Sequence, residues 1–132
     1  MLLEPWRIEL LGGLTAQCGD EYRLTRFSTH KTAGLLAYLA CFPRRAHARE
    51  ALREMLWPDG ETNTSQASLR TALNSLRRRL EPPGVPTGYV LATDRTHIRL
   101  RSDAFTTDVA EFETLLPRPR PAPAGRAGKV PR

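Results

Sequence analysis

The sequence predicts a small α+β domain with an N-terminal antiparallel sheet, three helices and a C-terminal β-hairpin. Three observations carry this prediction. Short alternating segments separated by glycine-containing pairs open the chain, as is typical of linked strands. Segments with apolar residues at helical spacing follow, and a second pair of alternating segments flanks the polar turn "DRTH". A chain of 132 residues has the usual size of one domain and can bury a core.

The first segment, "WRIELLGGLTAQCGDEYRLT", predicts about three short strands. Trp6, Ile8 and Leu10 alternate with charged residues, so that one face of the strand is apolar. The pairs "GG" and "GD" are turn signals, and Tyr22 and Leu24 restart the alternation after the second pair. We therefore expect a small antiparallel sheet at this end of the domain.

Two helices are predicted after the sheet. In "STHKTAGLLAYLACFP" leucines recur at helical spacing, Ser28 or Thr29 is suited to cap the first turn, and Pro43 ends the helix. The second helix lies in "HAREALREMLWPDG" and ends at Pro58. Its apolar face contains Ala48, Leu52, Met55 and Leu56.

A third helix covers residues 63–80 and contains the stretch "SLRTALNSLRRRL". Asn63 and Gln66 have the spacing of a capping box at its start. One stripe along the helix contains Leu69, Leu73, Leu76 and Leu80. The opposite face carries Thr64, Ala67, Ser68, Thr71, Asn74, Ser75 and Arg78, while Arg70 and Arg77 lie on one flank and Arg79 on the other.

This pattern suits a helix that enters the major groove of DNA. A core stripe holds the helix from behind, short side chains let its backbone approach the bases, and basic flanks meet phosphates. We predict base contacts from Ser68, Thr71, Asn74 and Arg78. Phosphate contacts are predicted for Thr64, Arg70, Arg77 and Arg79. The alternative is a solvated amphipathic helix whose arginines interact favourably with the negative end of the helix dipole.

The segment "GYVLATDRTHIRLR" predicts a β-hairpin, since alternating residues flank its turn. A helix pair whose second member has a polar outward face, followed by a basic hairpin, is the order of a winged helix-turn-helix. We therefore predict that Arg95, Thr96 and His97 form a wing tip that meets the DNA backbone or minor groove. An ordinary solvated turn is the alternative for Arg95. After the hairpin, "TTDVAEFETLL" predicts one or two helical turns that begin near Asp108.

Charge is distributed unevenly along the chain. The net charge is +6, and residues 62–101 carry seven arginines against two acidic residues. A basic cluster of this kind indicates a nucleic-acid partner more specifically than the overall charge does. Residues 117–132 carry five further basic residues but little apolar surface, and we predict a disordered tail or linker there. The predicted domain is therefore residues 1–116.

Other kinds of site find no support in the sequence. His30, His47 and His97 lie on separate predicted elements, and no P-loop or nucleophile elbow is present. We expect no metal, no cofactor and no enzymatic activity. No apolar run is long enough to span a membrane, and no secretory signal opens the chain. We expect a cytoplasmic protein in which Cys18 and Cys41 are buried thiols.

The strings "LLAYLA", "HAREALREMLWPDG", "ASLRTALNSLRRRLEP" and "DVAEFETLL" resemble the DNA-binding domain of the bacterial transcriptional activator family, of the antibiotic-regulatory-protein type. The resemblance covers roughly residues 5–116 and implies an OmpR/PhoB-type winged helix. It implies that the third helix, Asn63 to Leu80, reads the major groove and that the hairpin tip is the wing. Family members usually continue into a helical-repeat activation domain, and "DVAEFETLL" is similar to its first helix.

The expected function is sequence-specific binding of double-stranded DNA by a bacterial transcriptional regulator. RNA polymerase and a second copy of the chain on DNA are further candidate partners. One alternative is a winged helix used only for protein docking or dimerisation, which would expose an apolar patch. Another is an RNA-binding domain, which would expose aromatic side chains for base stacking.

Overall fold

The computed structural model describes residues 5–43 and 45–116, which form two small sheets and four helices. The chain order is β1 (Trp6–Glu9), β2 (Thr15–Cys18), β3 (Tyr22–Leu24), α1 (His30–Cys41), β4 (His47–Ala48), α2 (Arg49–Leu56), α3 (Thr62–Leu80), β5 (Leu91–Thr93), β6 (His97–Leu100), β7 (Phe105–Thr107) and α4 (Asp108–Leu115). The α+β fold class that the sequence predicts is confirmed, and the helical turns predicted to begin near Asp108 form the fourth helix, α4. The predicted tail, residues 117–132, lies outside the described residues.

The N-terminal sheet has the strand order β3-β2-β1-β7. The three strands expected from the sequence are present, and β1–β2 and β2–β3 pair antiparallel. The sheet also has a fourth strand that the sequence does not predict: β7 pairs with β1 in the parallel direction and places Trp6 opposite Phe105. The three residues of β7 are too few to show the alternation of a strand, and the partner strand β1 lies at the other end of the domain in sequence.

The C-terminal hairpin, residues 91–100, forms around the predicted turn. β5 and β6 pair antiparallel, with Leu91 opposite Leu100 and Thr93 opposite Ile98. The short strand β4 adds to the outer edge of β6, so that the hairpin belongs to a three-stranded sheet. Tyr89 precedes β5 instead of beginning it. No sequence pattern marks β4, because two residues cannot show alternation.

The helix boundaries follow local signals in part. Thr29 caps α1 as predicted, since its Oγ1 accepts a hydrogen bond from Thr32 N at 3.0 Å. The predicted capping box is wrong: α3 begins at Thr62, and its cap residue Glu61 makes no side-chain capping bond. The apolar face expected for α2 is narrower than predicted, because Met55 is exposed.

The core lies where α1, α2 and α3 pack on one another and on the hairpin strand β6. All four leucines of the predicted α3 stripe are buried, and Leu76 is completely enclosed. Full burial of a leucine side chain stabilises a fold by roughly 1.5–3 kcal/mol. Trp6 joins the sheet to the end of α3 by donating its indole N–H to Leu80 O at 3.0 Å. This packing fixes which face of α3 points outward.

Two other expectations concern the two cysteines and membrane-spanning helices. Cys41 is exposed at the end of α1, so the prediction of two buried thiols is wrong for this residue, while Cys18 is half-buried. In the part of the chain that the structure describes, no helix is both long enough and apolar enough to cross a membrane.

Candidate nucleic-acid interface

The outward face of α3 is polar and exposed. Because the leucine stripe is buried, the residues on the opposite side of the helix point away from the domain. Thr64, Thr71, Asn74 and Arg78 are all exposed. These are four of the residues for which the sequence predicts contacts with DNA, and the structure brings them together on one side of a 19-residue helix.

One flank of α3 lies against the start of α1. Ser75 is half-buried, and its Oγ is 3.2 Å from Ser28 Oγ in the segment before α1. Ser68, seven residues earlier and therefore on the same flank, is also half-buried. Ser68 is thus less open to a partner than Thr71, although the sequence predicts the same role for both.

The other flank of α3 is joined to the hairpin through Arg77. Its guanidinium donates Nη1 to Leu91 O and Nη2 to Thr93 Oγ1, each at 3.0 Å. Nη1 also lies 2.9 Å from Glu81 Oε1 in an ion pair. Only 23% of the Arg77 side chain is exposed. The sequence predicts Arg77 as a phosphate contact, but the structure turns its donors inward.

Glu81 follows α3 directly and has almost no exposed side-chain surface, 2%. Besides the bond from Arg77, its Oε1 accepts from Gly88 N at 3.1 Å. Its Oε2 accepts from Val90 N at 2.8 Å and from Leu91 N at 2.9 Å. A buried carboxylate is tolerated only when it is paired and hydrogen-bonded in this way. We call these bonds of Arg77 and Glu81 the Arg77–Glu81 network.

The remaining arginines around this face are unpaired. Arg70, Arg78 and Arg79 are exposed, and none of them takes part in an ion pair within residues 5–43 and 45–116. Their charges are therefore available to an anionic partner. Arg70 lies seven positions before Arg77, so it emerges on the flank of α3 that faces the hairpin.

The wing tip, residues 94–97, is a turn closed by the Asp94 side chain. Asp94 Oδ1 accepts from Thr96 N at 2.8 Å and from His97 N at 2.7 Å. The hydrogen bond from the Thr96 backbone is the main cause that lowers the pKa of Asp94, and the bond from His97 N acts in the same direction. Thr96 and His97 also contact each other, through Oγ1 and Nδ1 at 2.8 Å. Arg95 is exposed at the tip.

The hairpin is held on its second side by Arg49, the first residue of α2. Arg49 donates its backbone N–H to Thr96 O at 2.8 Å and its Nε to Asp94 O at 2.9 Å. Sequence reasoning missed both Arg49 and Glu81. A signal existed for Glu81, because it is one of only two acidic residues within a basic stretch of 40 residues, 62–101.

A second surface is apolar and lies on α4. No residue of this helix is buried, and Phe112, Leu115 and the following Leu116 are all at least half exposed. A groove of about 1070 Å³ runs between this helix and the end of α1, where Phe42 is exposed as well. The sequence predicts the helix but not this patch.

Polar contacts hold α4 to the N-terminal sheet. Asp108 accepts from Leu10 N at 2.8 Å and from Leu11 N at 2.9 Å, and Arg7 pairs with Glu111. Burial raises the pKa of Asp108, but the hydrogen bonds from Leu10, Leu11 and Val109 lower this pKa by more. The carboxylate form therefore anchors the helix start.

No metal-binding arrangement occurs in the described part of the chain: no three His, Cys, Asp or Glu side chains lie together as ligands. His47 is buried, with its Nε2 2.9 Å from Phe42 O. His30 and His97 are exposed on α1 and β6.

The arrangement of these elements is similar to a solved structure, that of Mycobacterium tuberculosis EmbR in complex with a low-affinity phosphopeptide. The match has a TM-score of 0.70 and 25% sequence identity, and it covers 84% of this chain. The fold is a winged helix. It corresponds to only 29% of the EmbR chain, so the likeness concerns a single region of that protein. No protein-family model matches the sequence, and no curated protein matches it either.

Proposed function

We propose that this winged helix binds double-stranded DNA sequence-specifically as part of a bacterial transcriptional regulator. In this proposal α3 enters the major groove, and the wing tip meets the adjacent backbone or minor groove. The observation that carries it is the exposed face of Thr71, Asn74 and Arg78, opposite a buried leucine stripe and beside a hairpin that exposes Arg95. The likeness to EmbR supports a winged helix of the regulator type.

The chemistry of this face fits base edges. Asn bonds adenine and Arg bonds guanine in a bidentate manner, and the short Thr71 leaves room for the helix to approach. Asn74 and Arg78 are four residues apart, which is about 6 Å along a helix axis. This separation approaches two base-pair steps of about 3.4 Å each. The two side chains can therefore contact neighbouring or next-neighbouring base pairs.

Selection of binding sites from random duplex DNA tests the proposal. The wild-type protein should enrich a defined site, and Asn74→Ala or Arg78→Ala should each flatten one or two positions of it. A good bidentate contact contributes roughly 1–3 kcal/mol of discrimination between bases. Arg45→Ala is the matched control, because Arg45 is exposed and lines the groove beside α4 instead of the α3 face. Sites that stay identical for both α3 variants would mean that this face does not read bases.

The proposed function is binding and not catalysis. RNA polymerase and a second copy of the chain on DNA are further proposed partners, and they would use surfaces that α3 and the wing tip leave open. Recruitment of polymerase is measured by transcription in vitro from a promoter that carries the selected site. Cooperative binding to two adjacent sites is the corresponding measurement for a second copy.

The apolar surface of α4 favours a second candidate function, protein docking or dimerisation. Phe112 and Leu115 form part of an exposed apolar patch, and such patches mark interaction sites more often than single exposed residues do. If the patch joins two copies, light scattering should give the mass of a dimer, and Leu115→Lys should return it to that of a monomer. A monomer at all concentrations would contradict self-association through α4.

A further inference from the structure

Two side chains connect the end of α3 to the start of the hairpin. Nine residues, 82–90, separate Glu81 from β5, and this connection includes Gly84 and Gly88, both with positive φ. Its two turns are closed by hydrogen bonds from Val85 N to Pro82 O at 3.0 Å and from Tyr89 N to Pro86 O at 3.1 Å, and these bonds do not reach the hairpin strands. The Arg77–Glu81 network instead joins the two elements directly, through the backbone of Leu91 and the hydroxyl of Thr93.

The network requires a charged carboxylate at position 81. Glu81 accepts four hydrogen bonds with two oxygens, three from backbone N–H groups and one from Arg77. An amide in its place would keep one acceptor oxygen and turn an NH₂ group towards donors. Buried donors without partners are costly, so Glu81→Gln would release the start of β5 from its position.

We propose that Arg77 and Glu81 are positioning residues for DNA binding: they fix the wing tip relative to α3, so that both contact one duplex at the same time. This inference rests on the proposed function. Arg77 acts through the hairpin and not on DNA, because both of its terminal nitrogens already donate to groups of the domain. Arg49 holds the opposite side of the hairpin, so the wing tip is fixed from two helices.

A double-mutant cycle between Arg77 and Arg95 separates positioning from direct contact. Arg95→Gln should weaken binding of the wild-type protein to its selected site about tenfold, the size of one charge-assisted hydrogen bond. In the Arg77→Met background the same change should cost less, about threefold, because Arg49 alone then holds the wing tip and its contact with DNA is weakened. Equal losses in both backgrounds would overturn the positioning role and favour a direct phosphate contact by Arg77.

Two further variants guard against general unfolding. Thr93→Val removes only the hydroxyl that accepts from Arg77 Nη2, at an exposed position outside the core. In this background Arg95→Gln should weaken DNA binding less than it does in the wild-type protein, although the difference should be smaller than for Arg77→Met. The circular dichroism should be unchanged. Arg77→Lys retains a donor and should restore part of the coupling. A purely structural role would lower the melting temperature in each variant and leave the effect of Arg95→Gln unchanged.

Hydrogen exchange tests the network without DNA. In Glu81→Gln, amides of the hairpin, residues 91–100, should exchange faster, while amides of α1 keep their protection. Unchanged hairpin exchange would overturn the inference whatever the DNA result. If the wild-type protein selects no duplex, the proposed function fails and the positioning role for DNA fails with it. If the wild-type protein selects a duplex but the losses in affinity caused by Arg77→Met and Arg95→Gln are additive, only the positioning role fails.

Discussion

Under the proposed function, the salt dependence of DNA binding measures how many phosphates the protein neutralises. Each neutralised phosphate contributes about 0.9 to the slope of log K against log salt concentration, because it releases condensed counterions. The sequence alone suggests four arginine contacts, Arg70, Arg77, Arg79 and Arg95, and hence a slope near −3.6. In the structure Arg77 is engaged by Glu81 and the hairpin. Three contacts remain, and their share of the slope falls to about −2.7.

Comparing the slopes of variants separates the contribution of these three arginines from any contribution of the basic residues 117–132. Changing Arg70, Arg79 or Arg95 singly to glutamine should each make the slope shallower by about 0.9. The triple variant should be shallower by about 2.7. The decisive step adds Arg77→Gln to the triple variant, where no wing contact is left to disturb. Because the Arg77 donors point inward, the slope should then stay unchanged.

Fluorescence anisotropy with a labelled duplex that carries the selected site measures these slopes, between about 50 and 200 mM salt. Arg45→Gln is the control, since Arg45 is exposed but lies beside α4. A further decrease of about 0.9 on adding Arg77→Gln would refute the reasoning, because Arg77 would then neutralise a phosphate itself. A slope that stays unchanged when Arg70, Arg79 or Arg95 is replaced would refute the electrostatic interface as a whole.

Three further predictions concern the core, the wing tip and the tail. Leu76→Ala should destabilise the fold by about 2–5 kcal/mol in urea unfolding, whereas Leu115→Ala, at an exposed site, should change stability by less than about 0.5 kcal/mol. The pKa of Asp94 lies below its ordinary value of 3.8, so its carboxylate stabilises the turn at pH above that value and loses this effect as the pH falls through the folded pKa. In an NMR titration the Asp94 carboxyl should therefore protonate below 3.8 and the Thr96 amide shift with it; protonation at or above 3.8 would contradict the turn geometry. Deleting residues 117–132 should weaken binding to all duplexes about equally, and a loss of discrimination between sites would mean that the tail takes part in reading.

Elements with a repeated local pattern could be predicted from the sequence. The stripe of Leu69, Leu73, Leu76 and Leu80 repeats over about three turns of α3, and each of these residues is buried. The hairpin is similarly marked by alternation on both sides of a polar turn, and its register confirms the position of the turn. In both cases the signal lies within a single segment, so periodicity alone identifies the element.

Features that depend on distant partners could not be predicted. β7 pairs with β1 across almost the whole domain, and β4 has only two residues, so neither has a period to detect. The inward orientation of the Arg77 side chain could not be predicted for the same reason, because it depends on a partner in another element. On a helical wheel Arg70 and Arg77 share one flank, but only Arg77 reaches Glu81 and β5. A wheel gives the direction of a side chain and not the element that it meets.

The same network explains how the basic face of the domain keeps its charge. Both acidic residues of the stretch 62–101 bond to backbone: Glu81 is buried in the network, and Asp94 closes the wing-tip turn. Arg77 and Arg101 take acidic partners, Glu81 and Asp103. The other arginines of this stretch are exposed and make no ion pair within the described ranges; they are Arg70, Arg78, Arg79, Arg95 and Arg99. Exposed carboxylates among them would weaken their field at short range. Glu81 engages Arg77 alone, and Asp94 makes no ion pair within the described ranges, so the exposed arginines keep their charge and the positive field remains available to draw a polyanion to α3.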